Sequence, residues 1–164
     1  MSVREATAAD IPTIRAIAHA TWPVAYANIL SPAQLAYMLE QMYDAETLTE
    51  QLTHKGHRFL LAEGPEGPVG FAGFETGHAL GRTRLHKLYV LPEVKGTGLG
   101  RQLLGAVCAE AIRAGDHLLE LNVNKYNPAK DFYMGQGFHI ERDEVIDIGQ
   151  GHVMDDHVMV LTLT

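Results

Sequence analysis

The fold is decided by the stretch LHKLYVLPEVKGTGLGRQLL, which spans residues 85–104. It predicts an apolar strand, then a turn with glycine at positions 96, 98 and 100, then an amphipathic helix. A helix N-terminus presents unpaired amide groups at the positive end of the helix dipole, and glycine lets the backbone approach a phosphate with no Cβ in the way. The stretch therefore predicts a binding site for a diphosphate group.

Two well-known phosphate loops do not fit this turn. A P-loop reads G-x-x-x-x-G-K-(S/T), and the chain contains no such run. A dinucleotide fingerprint reads G-x-G-x-x-G after an early strand, whereas the spacing here is G-x-G-x-G and follows several predicted strands. For the loop taken alone, an ordinary glycine-rich turn without a ligand remains the alternative.

A second motif lies downstream, where residues 121–138 read LNVNKYNPAKDFYMGQGF. Together the two motifs resemble the GNAT (GCN5-related) N-acetyltransferase superfamily. Its acetyl-CoA loop is usually written (Q/R)-x-x-G-x-(G/A), and residues 95–100 match it with Lys in the first place. Its second hallmark, N-x-x-A-x-x-F-Y-x-x-x-G-F, is matched by Asn127, Ala129 (offset by one position), Phe132, Tyr133, Gly137 and Phe138.

The resemblance implies an α/β fold, with a mixed, mostly antiparallel central sheet of about seven strands and helices on both faces. We expect one GNAT domain over residues 1–164, a length that suits a single core. Predicted strands cover residues 3–6, 57–62, 69–76, 83–91, 117–123, 138–148 and 153–163. Helix caps are predicted at Thr7, Ser31 and Asp44, and Gly115 is expected to end the helix that follows the loop.

Composition limits the classes of function. Acidic residues outnumber basic ones by 20 to 13, which argues against nucleic acid as a partner and favours a cationic substrate, or none in particular. Cys108 is the single cysteine, so we expect a reducing, cytoplasmic location, and no secretion signal is evident. Residues 16–39 lack Asp, Glu, Lys and Arg, but Pro23 and Pro32 interrupt the run, so we expect no membrane span. The nine histidines show no metal-binding spacing, so we expect no metal.

By resemblance, two segments form the site for acetyl-CoA, the expected co-substrate. The backbone of the strand would pair with the pantetheine arm like an added strand, and the loop amides would hold the diphosphate. Lys95 and Arg101 would add charge, and Asn127 would contact the cofactor arm besides capping a helix. The expected cofactor set is Leu88, Tyr89, Val90, Lys95, Gly96, Thr97, Gly98, Leu99, Gly100, Arg101, Asn127 and Phe132.

Transfer to an amine needs a base, because a primary amine of pKa about 10.4 is almost fully protonated at pH 7 and its neutral form costs about 4.5 kcal/mol. His86 is the best candidate: imidazole titrates in a useful range, and strand alternation predicts that His86 shares a face with Leu88 and Val90. In polyamine acetyltransferases of this superfamily the matching position is often Glu. A structural histidine, with Glu120 or a water chain as the base, remains the alternative.

The departing thiolate needs a proton, and Tyr133 is the predicted acid. By resemblance its hydroxyl lies close to the thioester sulfur, and a phenol of pKa about 10 can give a proton to a forming thiolate in a concerted step. The alternative for Tyr133 is a core aromatic beside Phe132. No Cys–His pair suggests a covalent route, so direct attack in a ternary complex is expected.

The acceptor site is expected between the first helices and the last strands. Trp22 and Tyr26 could stack on a cation, or else serve as core and lid aromatics. Asp155 and Asp156 could attract an ammonium group, or else lie in a solvated turn; Glu120 is a further candidate. These segments look similar to bacterial spermidine/spermine acetyltransferases, so a small-molecule primary amine is expected, with a polyamine as the lead.

Two other functions stay open from the sequence. One is acetylation of a protein N-terminus or lysine, and the other is a catalytically silent module that binds acyl-CoA as a sensor. The presence of Tyr133 argues against the silent module. The family often forms dimers through its last strands, so a homodimer is open as well.

Overall fold

The first part of the chain forms a layer of three helices. The computed structural model describes residues 2–163. The helices of this layer are α1 (Ile11–Ala25), α2 (Pro32–Tyr43) and α3 (Ala45–Thr53). Two of them start at predicted caps: Oγ of Ser31 accepts from the amide of Gln34 at 3.1 Å, and Oδ1 of Asp44 accepts from the amide of Thr47 at 2.7 Å.

A seven-stranded sheet forms the centre of the fold, in the order β1-β2-β3-β4-β5-β7-β6. Only the β4–β5 pair is parallel, and the other neighbouring pairs are antiparallel. This confirms the predicted mixed, mostly antiparallel sheet. The strands are β1 (Ser2–Glu5), β2 (Arg58–Gly64), β3 (Gly67–Ala79), β4 (Arg82–Val90), β5 (Leu118–Asn124), β6 (His139–Gly149) and β7 (His152–Thr162).

Helices cover both faces of the sheet, as predicted. Along β2, Phe59 and Leu61 pack against α1, α2 and α3, whereas Leu60 and Ala62 pack on the opposite face. That face is covered by α4 (Leu99–Arg113) and α5 (Ala129–Gly135). Within residues 2–163, no helix is both long enough and apolar enough to cross a membrane.

Most strand ends lie within a residue or two of their predicted positions, and the largest differences are at β2 and β3. Residues 63–68 were expected to form the turn between them, but pairing continues to Gly64 and Gly67, so the turn contains only Pro65 and Glu66. At its other end β3 runs on to Ala79. The predicted strands were too short because their ends were placed at proline and glycine. These residues also occur at the edges and ends of paired strands.

Candidate active site

An open cleft of about 560 Å³ lies where β4 and β5 separate. The two strands pair only as far as Leu85 and Leu121, so the rest of β4 has an unpaired edge on this side. Helix α1 contributes Thr21, Val24 and Ala25 to the lining. The lining also contains most of the predicted cofactor set: Leu88, Tyr89, Val90, Lys95, Gly96, Gly98, Leu99, Gly100, Arg101, Asn127 and Phe132.

The unpaired edge of β4 can accept an extended ligand. The amide of Leu91 donates to the carbonyl of Val69 at 2.8 Å, so this end of β4 is tied to β3. Backbone groups alternate sides along an antiparallel strand, so those of Tyr89 also face β3, and those of Leu88 and Val90 face the cleft. A ligand with its own amide groups would add here as a strand does.

Two glycines shape the turn that follows β4. Gly96 and Gly98 both have φ of 83°, and a Cβ on either would meet no atom within 4 Å. Conformation, not crowding, therefore demands glycine at these positions. The amide of Gln102 donates to the carbonyl of Gly98 at 3.0 Å, so the amides before it in the first turn of α4 lack intrahelical acceptors. They suit diphosphate oxygens at the mouth of the cleft.

Thr97 is the one member of the predicted cofactor set that does not line the cleft. Its hydroxyl donates to the carbonyl of Val94 at 2.6 Å. Asn127 lines the cleft and also caps α5, since its Oδ1 accepts from the amide of Ala129 at 2.9 Å. Its capping oxygen is therefore engaged, and its amide group also lies beside the Tyr26 hydroxyl at the wall of the chamber.

Tyr133 lies at the inner end of the cleft. It is 8% exposed, and its ring packs edge-on against Phe132 and Phe138. The residue lines both the cleft and an adjoining chamber of about 60 Å³. Burial raises the pKa of Tyr133 well above its usual value, so the phenol is neutral at pH 7 and its O–H can donate a hydrogen bond into this space.

His86 lies at an irregularity of β4. Pairing with β3 passes directly from Gly73 and Lys87 to Phe74 and Leu85, so His86 is an extra residue without a cross-strand partner. This arrangement is a β-bulge, and it interrupts the alternation of side chains along the strand.

The bulge sends His86 to the opposite face from the one predicted. Leu88 and Val90 pack in the cluster on the α4 side of the sheet. His86 instead stacks on the ring of His57, with 4.2 Å between ring centroids, and its Nε2 lies 3.1 Å from Oε1 of Glu75. The predicted shared face of His86 with Leu88 and Val90 is therefore wrong, because strict alternation does not hold through a bulge.

His86 nevertheless reaches the chamber that adjoins the cleft, where Tyr26, Asn122 and Tyr133 also contribute to the lining. Burial lowers the pKa of His86 below its usual value. The imidazole is therefore neutral at pH 7 and has a lone pair for a proton, and the same burial makes it a weaker base than a free imidazole.

Two predicted acceptor-site carboxylates, Glu120 and Asp156, lie on the face of the sheet opposite to α4. This part of that face is rich in charged and amide side chains and is called the polar face below. Glu120 is buried on β5, and its Oε2 lies 3.8 Å from a guanidinium nitrogen of Arg84. Asp156 is buried on β7, where its Oδ2 accepts from the side chain of Asn122 at 3.3 Å and its Oδ1 is enclosed without a hydrogen-bond partner. Burial raises the pKa of Asp156 above its usual value, because less water is present to stabilise the charged form.

The side chains of Asp155 and Asp156 point to opposite faces of the sheet. Neighbouring side chains of a strand point to opposite faces, and a carboxylate oxygen of Asp155 lies 3.0 Å from Nζ of Lys125 on the other side. The structure therefore does not bring the two aspartates together in one site.

The two predicted acceptor-site aromatics also differ in position. Trp22 is 2% exposed and packs against Tyr26 and Tyr43 in the core, so neither face of its indole is free for a cation. Tyr26 is buried as well, but it lines the chamber, and its hydroxyl lies 2.8 Å from that of Tyr89. Of the two, Tyr26 is the one in reach of an acceptor.

Glu75 and His57 were not singled out from the sequence. The register of β2, β3 and β4 brings them beside His86, so that the histidines expected to be scattered gather around one carboxylate. No short motif joins these residues, and the bulge that turns His86 toward them has no sequence signature of its own.

Comparison with known proteins agrees with the geometry of the cleft. A family model described as an acetyltransferase (GNAT) domain matches residues 26–154. The chain belongs to the GNAT family of N-acetyltransferases. An uncharacterized N-acetyltransferase of Mycobacterium tuberculosis is 31% identical to this acetyltransferase over 155 residues, which cover 94% of this chain and 98% of that protein.

Two solved structures share the fold of this acetyltransferase. A GCN5-related N-acetyltransferase of Rhodopseudomonas palustris has a TM-score of 0.85 at 22% identity, with 99% of this chain and 95% of that chain covered. The PaiA N-acetyltransferase of Thermoplasma acidophilum, in complex with coenzyme A, has a TM-score of 0.81 at 22% identity, with 98% of each chain covered.

As a member of this family, the enzyme uses acetyl-CoA as its co-substrate. The cleft fits that molecule. The unpaired edge of β4 would offer backbone groups to the amides of the pantetheine arm, and the first turn of α4 would offer amides to the diphosphate. The thioester end would then lie toward Tyr133 and the chamber.

Proposed function

We propose that this acetyltransferase acetylates a primary amine of a small cationic molecule, with a polyamine as the lead acceptor, by direct attack in a ternary complex. The observation that carries the proposal is the chamber at the inner end of the acetyl-CoA cleft. It is lined by a neutral imidazole, His86, and by a neutral phenol, Tyr133. These are a proton acceptor and a proton donor, the two groups that amine acetylation needs.

The charges around the chamber favour a cationic acceptor. Five carboxylates lie on this polar face of the sheet, against three guanidinium groups, and the excess of negative charge attracts an ammonium group. Lys87 also lines the chamber and adds one buried positive charge, with its Nζ hydrogen-bonded to Gln51, so the net excess is one carboxylate. The carboxylates are Glu75, Glu120, Glu141, Glu144 and Asp156, and the guanidinium groups are those of Arg82, Arg84 and Arg142.

The proposed step balances in atoms and protons. His86 takes a proton from the bound ammonium group, and the lone pair that this frees on nitrogen attacks the thioester carbonyl carbon. As the new C–N bond forms the C–S bond breaks, and Tyr133 gives its hydroxyl proton to the leaving sulfur. The nitrogen of the new amide still carries a second proton, which it loses to solvent. The proton on His86 also goes to solvent and Tyr133 recovers one from solvent, so both groups are restored and one proton is released overall.

A covalent acetyl-enzyme route receives no support from the cysteine. Cys108 lies on α4, does not line the cleft or the chamber, and is partly buried. Burial raises the pKa of the Cys108 thiol, so the reactive thiolate is disfavoured. Direct attack needs no such nucleophile and agrees with a cleft and a chamber that adjoin.

The test is a thiol-release assay with acetyl-CoA against spermidine, spermine, putrescine, amino acids, aminoglycosides and short peptides. We expect turnover on the polyamines. Turnover on peptides alone would replace the small-molecule acceptor with a protein one. Binding of acetyl-CoA by calorimetry, with no turnover on any amine, would replace catalysis with a sensor role.

A charge variant tests the cationic part of the proposal. Asp156→Asn removes one buried charge but keeps the side-chain shape, and it should raise the KM for a polyamine about tenfold, since about 1.4 kcal/mol of attraction is lost at short range in a partly buried site. Asp155→Asn is the matched control, because Asp155 points to the other face and pairs with Lys125. Equal KM values in the two variants would contradict the role of Asp156.

A further inference from the structure

Three imidazoles converge on one carboxylate oxygen beside the chamber. Oε1 of Glu75 lies 3.1 Å from Nε2 of His86, 3.2 Å from Nδ1 of His78 and 3.4 Å from Nε2 of His57. Among residues 2–163, the set His57, Glu75 and His86 is the one group with three potential metal ligands within reach of one another. The cluster could therefore serve either as a metal-binding site or as a group of side chains that bind and transfer protons.

The ring geometry favours protons over a metal. The imidazoles of His57 and His86 are stacked, with centroids 4.2 Å apart and planes 9° from parallel. An imidazole nitrogen directs its lone pair in the plane of the ring, so two stacked, parallel rings cannot both aim at one ion between them. Nε2 of His86 can, however, donate its N–H to the carboxylate of Glu75 at 3.1 Å, while Nε2 of His57 lies 3.4 Å from the same oxygen without a hydrogen bond.

Glu75 determines where the protons of His86 lie. Burial tends to raise the pKa of Glu75, but hydrogen bonds from His86 and His78 hold it below its usual value, so the group is a carboxylate. A carboxylate only accepts hydrogen bonds, so Nε2 of His86 carries the N–H and Nδ1 carries the lone pair.

Nδ1 of His86 is the nitrogen of the cluster that is free to act as a base. In the described part of the chain, no protein group hydrogen-bonds this atom, and it is not sealed from solvent. Nδ1 of His57, in contrast, is enclosed without a partner. Protonating His57 there would bury an N–H with no acceptor, at a cost of about 1–3 kcal/mol, so His57 stays neutral and His86 takes the proton.

We propose that Glu75 is a positioning residue of the acetyl transfer: it holds His86 in the tautomer whose Nδ1 is free for the acceptor amine, and it stabilises the imidazolium that forms. This inference rests on the proposed function. In the step, an N–H bond of the ammonium group breaks, an N–H bond forms at Nδ1, and the electron pair stays on the amine nitrogen. The imidazolium, held between Glu75 and solvent, later releases the proton from Nδ1.

The neighbouring charges set the direction of the pH dependence. Burial lowers the pKa of His86 and the hydrogen bond to Glu75 raises it, while nearby cationic groups lower it further. Loss of the Glu75 charge should therefore move the acid limb of the kcat/KM profile, which reports protonation of His86, to lower pH. The titratable and charged groups that face His86 are Glu75 and His78 from β3, His57 from the segment before β2, and Arg84 and Lys87 from β4.

The kinetic test uses Glu75→Gln in the full-length enzyme, with acetyl-CoA and the best amine of the panel. At pH 7, kcat should fall about 100-fold, the lower end of a general-base contribution, while the Kd for acetyl-CoA stays unchanged. The defect should shrink as the pH approaches the pKa of the amine, which then loses its proton without help. The control is Glu66→Gln, at the exposed turn between β2 and β3. A Glu75→Gln profile that overlays the wild type at every pH would overturn the proposal.

A second measurement does not depend on turnover. Nitrogen-15 NMR of the histidines at pH 7 should show the proton of His86 on Nε2 in the wild type, and a changed tautomer balance in Glu75→Gln. A wild-type His86 with its proton on Nδ1 overturns the positioning role even if polyamines are acetylated. If the proposed function itself fails, the tautomer is as expected but no amine is acetylated, so the two failures are distinguishable.

Discussion

Replacing Tyr133 with phenylalanine removes one hydroxyl group and keeps the ring. The ring packs against Phe132 and Phe138, with centroid distances of 5.3 and 5.4 Å, and these contacts do not involve the hydroxyl. Within residues 2–163 no hydrogen bond joins the Tyr133 hydroxyl to another protein group, so the variant leaves no partner unsatisfied there. We therefore expect the free energy of unfolding to change by less than about 1 kcal/mol.

The catalytic effect should be much larger than the effect on stability. General acid catalysis contributes about 10²–10⁴ in rate, and Tyr133 is a buried residue that lines both the cleft and the chamber. We expect kcat to fall at least about 100-fold, equivalent to about 2.7 kcal/mol of transition-state stabilisation. The Kd for acetyl-CoA should change less than about threefold, because the strand edge and the loop amides are untouched.

The assay is thiol release under saturating acetyl-CoA, with binding measured separately by calorimetry. Tyr126→Phe is the matched control, since Tyr126 is 77% exposed and removal of its hydroxyl should leave kcat unchanged. A Tyr133→Phe enzyme with wild-type kcat would exclude Tyr133 as the acid, because the leaving sulfur would then receive its proton from another donor.

Two further predictions concern the cofactor loop and a buried lysine. Gly98→Glu should abolish acetyl-CoA binding in calorimetry, because it places a carboxylate where the diphosphate is expected. Gly56→Glu is the control, since Gly56 has a similar positive φ and open surroundings away from the cleft. Equal binding by both variants would contradict the loop assignment. Burial lowers the pKa of Lys87 from its usual 10.5 to about 8, so the unfolded chain binds more protons between these pH values and the stability of the wild type should rise with pH across this window. In Lys87→Met this rise in the free energy of unfolding, which is up to about 3 kcal/mol between pH 8 and 10.5, should be absent. Urea unfolding of both proteins at the two pH values measures it, and an equal rise in both would contradict the burial of the charge.

The elements of the fold could be predicted from local chemistry. Caps at Ser31 and Asp44 fix helix starts because their side chains satisfy amides that the helix cannot. Glycine at 96 and 98 marks the turn because the backbone there has positive φ. Both kinds of signal depend on residues a few positions apart, so the sequence displays them directly.

The candidate site was less predictable because its geometry depends on distant contacts. One bulge in β4 reversed the face of His86, and strand alternation placed Asp155 and Asp156 on opposite sides although they are neighbours in sequence. Trp22 belongs to the core since it packs on Tyr43, a contact that composition cannot reveal. Such positions follow from register and packing, which the chain sets only after it folds.

The most direct test of the account is a crystal structure of the enzyme with coenzyme A and spermidine. We predict the pantetheine arm along the open edge of β4, the sulfur within hydrogen-bond distance of the Tyr133 hydroxyl, and an amine nitrogen within reach of Nδ1 of His86 directly or through one water. Coenzyme A bound in the cleft with its sulfur turned away from Tyr133, or spermidine bound outside the chamber, would contradict the account.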